Sequence, residues 1–153
     1  EQYEVSNFAL PGRRALHNIR YWRMENWIGA GPSASGTLID DGRGTGRRYT
    51  ADTDVDRWLR RPPSIPPAPP LTVEHLDRSV LIRESLLMGF RYLEGPDGAL
   101  FRRRFGRDIE DLIPKSLDRW RRRGVIRQDR PAPTGGGLLF LNPFLLDVFT
   151  ELE

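Results

Sequence analysis

A run of prolines near the middle of the sequence sets the strongest limit on its fold. The segment from Arg61 to Pro70 reads Arg-Pro-Pro-Ser-Ile-Pro-Pro-Ala-Pro-Pro. Because proline lacks an amide donor and fixes φ, neither a helix nor a central strand continues through such a segment. The sequence therefore predicts an extended linker over residues 62–70, with separate parts over residues 1–61 and 71–153.

The composition excludes several classes of protein. The 153 residues are 38% hydrophobic and 29% charged, which is typical of a globular chain. The absence of cysteine excludes disulfides, thiolate zinc sites and a cysteine-ligated iron–sulfur cluster within this chain. No apolar run has the roughly 20 residues of a membrane helix, and the first residues lack a signal-peptide pattern, so we expect a cytoplasmic protein. The chain starts without Met, which suggests a cut piece of a longer protein.

The first part contains too little structure to close a sheet alone. Short strands are predicted over residues 2–7, 27–30, 37–39 and 47–50, with a glycine-rich loop over residues 29–36. So few strands would leave unpaired edges, which predicts a missing partner before them. Glu4 lies at a strand end, where it is either a polar ligand contact or a solvated or ion-paired carboxylate.

The second part has the pattern of a small winged-helix-like domain. Helical spacing of apolar residues predicts helices over residues 74–90 and 113–123, and places His75 at the start of the first. Pro114 suits a first helical position, and Gly124 suits a left-handed helix end. Short strands over residues 125–126 and 138–141 would form the wing. The Asn142-Pro143 pair predicts a closing helix over residues 143–152.

The densest cluster of polar and aromatic residues is His17-Asn18-Ile19-Arg20-Tyr21-Trp22. If this segment is helical, His17 and Tyr21 share one face at i, i+4. An imidazole can ligate a metal or heme iron, and flanking rings can pack against a flat macrocycle. A histidine beside aromatic residues is also a common structural feature, so the cluster alone leaves both interpretations open.

Three motifs in order resemble the segment that closes the catalytic barrel of the HemW-type heme chaperones. These are radical-SAM proteins once grouped with oxygen-independent coproporphyrinogen III oxidase. The motifs are Glu4-Val5-Ser6-Asn7-Phe8-Ala9, then His17-Asn18-x-x-Tyr21-Trp22, then Gly29-x-Gly31-x-Ser33-Ala34. The segments 83–91, 105–106 and 138–142 resemble the C-terminal domain of the same family. The Thr134-Gly135-Gly136-Gly137 segment departs from the family pattern and leaves a partner contact there in doubt.

The resemblance implies both a fold and a set of ligands. The fold would be an α/β or α+β fragment, with the last strands of a radical-SAM barrel over residues 1–61 and the winged-helix-like domain over residues 71–153. The family holds a [4Fe-4S] cluster through three cysteines that this chain lacks, so the chain alone should not cleave S-adenosylmethionine (SAM), and no catalytic residue is assigned. The resemblance implies that His17 of this chain is the candidate axial ligand of heme iron, with Asn18, Tyr21 and Trp22 beside the heme. The edge of the SAM pocket falls on Gly29, Gly31, Ser33 and Ala34, and a heme-accepting protein is an implied partner.

Three other functions remain as alternatives, one of which is a pure interaction module whose C-terminal domain covers the barrel or docks a heme-accepting protein. The parent protein could instead oxidatively decarboxylate coproporphyrinogen III to protoporphyrinogen IX, although the His17 motif favours the chaperone branch. The many arginines of residues 101–130 suggest nucleic-acid binding by a winged helix. Interleaved acids dilute that positive charge, and the helix over residues 113–123 presents only arginines outward, without the Asn or Gln typical of base recognition. We therefore expect no nucleic-acid partner.

Overall fold

The computed structural model describes residues 1–60 and 72–153 and confirms the α+β class. A three-stranded antiparallel sheet and several helices occur in these ranges. The described residues form two compact units: Glu1–Glu25 with Ile82–Glu153, and Asn26–Leu81. The predicted linker over residues 62–70 lies outside the described residues. The division of the chain at that linker stays a prediction.

The unit Asn26–Leu81 is built on the sheet. Strands β1 (Ser35–Asp40), β2 (Thr45–Thr50) and β3 (Thr72–Leu76) lie in the order β1-β2-β3, and a short helix α2 (Val55–Leu59) follows β2. The predicted strands over residues 37–39 and 47–50 are confirmed within β1 and β2. Every strand pair and isolated bridge among the described residues is antiparallel, so the parallel strands of the expected barrel are not seen there.

The other unit is mainly helical. Its helices are α1 (Leu16–Trp22), α3 (Arg78–Gly89, which begins in the sheet unit), α4 (Gly98–Phe105), α5 (Ile109–Leu112), α6 (Pro114–Arg122) and α7 (Leu141–Glu151), with a 3-10 helix over Gly136–Phe140. Phe90 and Phe144 are fully buried and meet edge to face at 4.7 Å, and the Trp120 ring lies 6.1 Å from Phe144. These aromatic rings join the residue that follows α3 to helices α6 and α7 in one core.

Helix α6 follows its sequence signals closely. Pro114 occupies its first turn, and Gly124 adopts a φ of +70° just after its end. The buried face carries Leu117 and Trp120, as the spacing of apolar residues predicted.

The prediction of a helix from residue 74 was wrong about its start. Residues 72–76 pair with β2 as strand β3, and His75 lies in that strand opposite Arg47. Helix α3 begins at Arg78, where the Asp77 carboxylate accepts a hydrogen bond from the Val80 amide at 2.9 Å. The partner strand is distant in sequence, so the local pattern gave no sign of it.

The predicted strands over residues 2–7, 27–30 and 125–126 were also wrong. Residues 2–7 and 27–30 form only isolated bridges, among them Glu4 with Tyr92 and Trp27 with Thr37. Residues 125–126 contribute a single bridge, from Ile126 to Pro133, so the two-stranded wing does not form within the described residues.

The segment predicted as strand 138–141 is instead a 3-10 helix that leads into α7. The Gly137 amide donates to the Thr134 carbonyl at 2.9 Å and to its hydroxyl at 3.0 Å, which starts this turn. Helix α7 therefore begins at Leu141, and Asn142 lies inside its first turn instead of capping it. Short apolar runs are ambiguous between strand and helix, and here burial of Leu138 and Leu141 suits the helix.

Candidate functional site

The residues predicted to contact heme all lie on α1. His17, Asn18, Tyr21 and Trp22 fall within its single run of Leu16–Trp22. The residues predicted for the SAM pocket, Gly29 to Ala34, precede β1 and belong to the other compact unit.

Helix α1 is held in place by its inner face. Ile19 is buried and packs with Tyr3 and Tyr92 in a small apolar cluster. The Ala15 amide, at the helix start, donates to the Tyr3 hydroxyl at 3.4 Å. Because a helix of seven residues is marginal alone, this packing is what keeps it helical.

His17 is exposed on α1 and is supported by one aromatic ring. Its imidazole meets Tyr21 edge to face, with ring centroids 4.8 Å apart and an interplanar angle of 89°. The predicted i, i+4 pair is therefore formed. Across residues 1–60 and 72–153, neither the His17 imidazole nor the half-buried Asn18 amide has a hydrogen-bond partner. The imidazole nitrogens are thus available to an external ligand.

The sequence around His17 carries exposed apolar and cationic side chains. Leu16, its neighbour on α1, is 74% exposed, and the preceding segment carries the exposed Phe8 and Leu10. Arg20 follows His17 by three residues, with a side chain that is 71% exposed. An exposed apolar side chain beside an imidazole without a hydrogen-bond partner is compatible with a flat apolar ligand.

Trp22 faces a different direction from His17. Five residues of helix separate the two by about 140° around the axis. The Trp22 ring lines a pocket with Ser85, Phe101 and Arg104, and the Arg91 guanidinium carbon lies 5.1 Å from its centroid. Its indole Nε1 is buried and has no hydrogen-bond partner among the described residues. The structure thus brings His17 and Tyr21 together, and places Trp22 against the core.

Gly29 is required by packing within its own unit. A Cβ there would clash with the backbone of Ser35. The Gly29 amide donates to the Tyr49 hydroxyl at 2.9 Å, and that hydroxyl donates back to the Gly29 carbonyl at 3.3 Å. Gly29 therefore allows its own backbone to lie close to the backbone of Ser35.

The rest of the loop turns sharply towards β1. Gly31 has a φ of +109° and a Cβ added there would meet open space, while Ser33 has a φ of +61°. The Ser33 amide donates to the Asp52 carbonyl at 2.9 Å, and the Ala34 carbonyl accepts from the Ala51 amide at 2.8 Å. A non-glycine residue at positive φ is uncommon, and these two bonds hold it there.

An ion pair between the buried Asp52 and the exposed Arg57 supports the same loop, and the sequence did not predict it. Asp52 is fully buried, and its carboxylate contacts Arg57 Nη2 at 2.8 Å and Nε at 2.7 Å. The pKa of Arg57 is raised by this hydrogen bond and by the charge of Asp52. The Asp54 amide also donates to Asp52 at 3.0 Å. In the sequence, the only local indication of this ion pair is the Asp52-x-Asp54 pattern before α2.

Glu4 is buried rather than solvated. It is 1% exposed, and its Oε1 accepts from the Ser6 amide at 2.7 Å and from Asn7 Nδ2 at 2.6 Å. Its Oε2 is buried with no hydrogen-bond partner in the described part of the chain. The prediction of a solvated or ion-paired carboxylate was therefore wrong, because the bridge to Tyr92 carries this segment into the core.

Neither a metal cluster nor a membrane-spanning helix occurs among the described residues. No cluster of three or more histidines and carboxylates able to hold a metal ion occurs in residues 1–60 and 72–153. Over the same residues, no helix is long and apolar enough to cross a membrane.

Comparison with known proteins gives a consistent set of relatives. The heme chaperone HemW of Escherichia coli is 32% identical over 155 aligned residues, which cover 97% of this chain and 38% of the relative. The heme chaperone HemW of Lactococcus lactis is 31% identical over 84% of this chain and 31% of its own length. The mitochondrial radical S-adenosyl methionine domain-containing protein 1 of Danio rerio is 38% identical over 61% of this chain and 21% of its own.

The similarity covers most of this chain but only part of each relative. The chain spans about a third of the length of the curated relatives that it matches. No protein-family model matches it. No solved structure matches it either. Because three bacterial HemW proteins align over 84% to 97% of this chain, it belongs to the HemW-type family of radical-SAM proteins.

Proposed function

We propose that the protein binds heme as a cargo through His17, in the manner of a heme chaperone. The observation that carries this proposal is the exposed His17 imidazole, which is braced by Tyr21 and has no hydrogen-bond partner in the described residues. The curated bacterial relatives bear the name heme chaperone, which favours heme binding over the oxidase and nucleic-acid alternatives.

The chemistry of the site fits this ligand. A neutral imidazole donates a nitrogen lone pair to iron, and the T-shaped contact with Tyr21 limits rotation of the ring. Leu16 offers an exposed apolar side chain beside His17 for contact with a macrocycle. Asn18, adjacent in sequence, or a backbone carbonyl would accept the proton of the second imidazole nitrogen and so fix the ring orientation. Trp22 would not contact the heme; it would stabilise α1 through its contacts with the core.

For the whole protein, the family membership extends the proposal to SAM and a [4Fe-4S] cluster. The cluster ligands do not lie in this chain, which has no cysteine. Within the glycine-rich loop, Gly31, Ser33 and Ala34 remain proposed SAM contacts, since a Cβ on Gly31 meets open space. Gly29 is a weaker candidate for a SAM contact, because its close packing against Ser35 already explains why a glycine is needed there. A cytoplasmic location and a heme-accepting partner protein complete the proposal.

A heme titration of the full chain tests the proposal. Visible absorption should show a Soret shift for the wild type, and His17→Ala should lose that shift. His75→Ala is the matched control, because His75 is the other histidine of the sequence and lies in β3. A Soret shift that survives in His17→Ala and disappears in His75→Ala would reject the assignment. The absence of any shift in the wild type would reject heme binding itself.

A further inference from the structure

Arg20 stands on the same side of α1 as the imidazole of His17. Residues three apart on a helix are neighbours, with Cβ atoms about 5–6 Å apart. The Arg20 side chain is 71% exposed, so its guanidinium can move through the space in front of the His17–Tyr21 pair. A cation of fixed charge therefore borders the place where an iron-bound ligand would lie.

The existing partner of Arg20 holds it only weakly. Its Nε lies 3.8 Å from the Glu25 carboxylate, which is 40% exposed. This distance is too long for a hydrogen bond, and exposed ion pairs contribute little to stability. The backbone of Arg20 is fixed separately, because its carbonyl accepts from the Glu25 amide at 3.0 Å. The guanidinium can thus exchange Glu25 for another carboxylate without disturbing the helix end.

We propose that Arg20 binds a carboxylate of the ligand and makes the site specific for iron porphyrins that carry acidic side chains. This inference rests on the proposed function of His17. Heme has two propionate groups at one edge of an apolar ring, and a guanidinium pairs with a carboxylate through two parallel hydrogen bonds. His17 would then set where the iron lies, and Arg20 would set how the ring is turned about the iron–nitrogen bond.

The test compares two ligands that differ at the propionates, which are charged carboxylates in one and neutral methyl esters in the other. Hemin and hemin dimethyl ester are titrated into the full-chain wild type, Arg20→Ala, Arg20→Lys and Arg23→Ala. For hemin, Arg20→Ala should weaken binding about fivefold, close to 1 kcal/mol, and Arg20→Lys should recover part of the loss. For the ester, wild type and Arg20→Ala should bind alike. Arg23→Ala is the charge-matched control, since Arg23 lies at the end of α1 and six positions from His17, off its face.

Glu25→Gln gives a check of opposite sign. Because it removes the carboxylate that competes for Arg20, hemin should bind about twofold tighter at low ionic strength, and the gain should fade as salt is added. An equal effect of Arg20→Ala on hemin and on the ester would overturn the proposal, as would an equal loss in Arg23→Ala. A His17-dependent Soret shift with no effect of Arg20→Ala would reject the role of Arg20 and leave the heme site standing. Loss of the His17 dependence would reject both.

Discussion

Asp147 on α7 accepts a hydrogen bond from the indole of Trp120 on α6, with 2.7 Å between its Oδ2 and Nε1. The same oxygen accepts from Arg119 Nη1 at 2.9 Å. The Trp120 ring is buried against Phe144, and the Arg123 guanidinium carbon lies 4.7 Å from its centroid. One carboxylate therefore satisfies the only polar atom of a core side chain and joins two helices.

This contact makes stability depend on pH. The hydrogen bond from Trp120 and the interaction with Arg119 hold the pKa of Asp147 below its ordinary value. A lowered folded-state pKa gives stability that is present above the unfolded value, about 3.9, and is lost as the pH falls through the folded value. Asp147→Asn should therefore cost about 1 kcal/mol at pH 7, with the difference from wild type shrinking below pH 4.

The measurement is urea unfolding followed by tryptophan fluorescence at several pH values. Asp118→Asn is the control, since Asp118 makes an exposed i, i+4 pair with Arg122 at 2.6 Å. We expect that substitution to cost less than about 0.5 kcal/mol at any pH. A pH-independent loss for Asp147→Asn would show that the charge of Asp147 contributes nothing.

Glu151 caps a helix other than its own. Its two carboxylate oxygens accept from the Lys115 and Ser116 amides, at 2.8 and 2.7 Å, in the first turn of α6. Burial opposes ionisation of this group, but the hydrogen bonds from Ser116 and Lys115 outweigh it and lower the pKa of Glu151. Glu151→Ala should cost about 1 kcal/mol, as the loss of a helix N-cap does. Chemical denaturation measures it, and Glu153→Ala should match the wild type.

The space that a side chain at position 36 would need is filled by the ring of the residue opposite it in the sheet. Tyr49 pairs with Gly36 across β1 and β2, and a Cβ on Gly36 would clash with the Tyr49 ring. Gly36→Ala should therefore destabilise the protein by about 1–3 kcal/mol. Gly42→Ala serves as the control, because a Cβ there would meet only Asp40 Oδ1 at 3.4 Å.

A double-mutant cycle tests the cause of that loss. If the clash with Tyr49 is responsible, Gly36→Ala should cost much less in a Tyr49→Ala background than in the wild type. Thermal unfolding of the four proteins gives the coupling energy. Strictly additive losses would place the strain elsewhere in β1.

Tyr21 should matter for the ligand through its ring. Tyr21→Ala removes the edge-to-face support of His17, so we expect heme to bind several-fold more weakly as the imidazole gains rotational freedom. Tyr21→Phe keeps the ring and should remain within about twofold of the wild type. Absorption titrations decide between these outcomes, and equal weakening in both variants would assign the effect to the hydroxyl.

The sequence alone determined the features that depend on neighbouring residues. Pro114, Gly124 and the spacing of Leu117 and Trp120 defined α6, because helix ends and helical faces are local properties. The order of three motifs gave the family, and the i, i+4 spacing gave the His17–Tyr21 contact.

Only the tertiary structure decided what depends on distant partners. Strand β3 exists because β2 pairs with it, Glu4 is buried because its segment bridges to Tyr92, and Trp22 turns inward because Ser85 and Phe101 lie there. The cap of α6 by Glu151 likewise joins groups 35 and 36 residues apart, which no sequence period connects. Hydrogen bonding and burial between remote segments override local propensity, since a buried polar group without a partner costs more than a propensity gains.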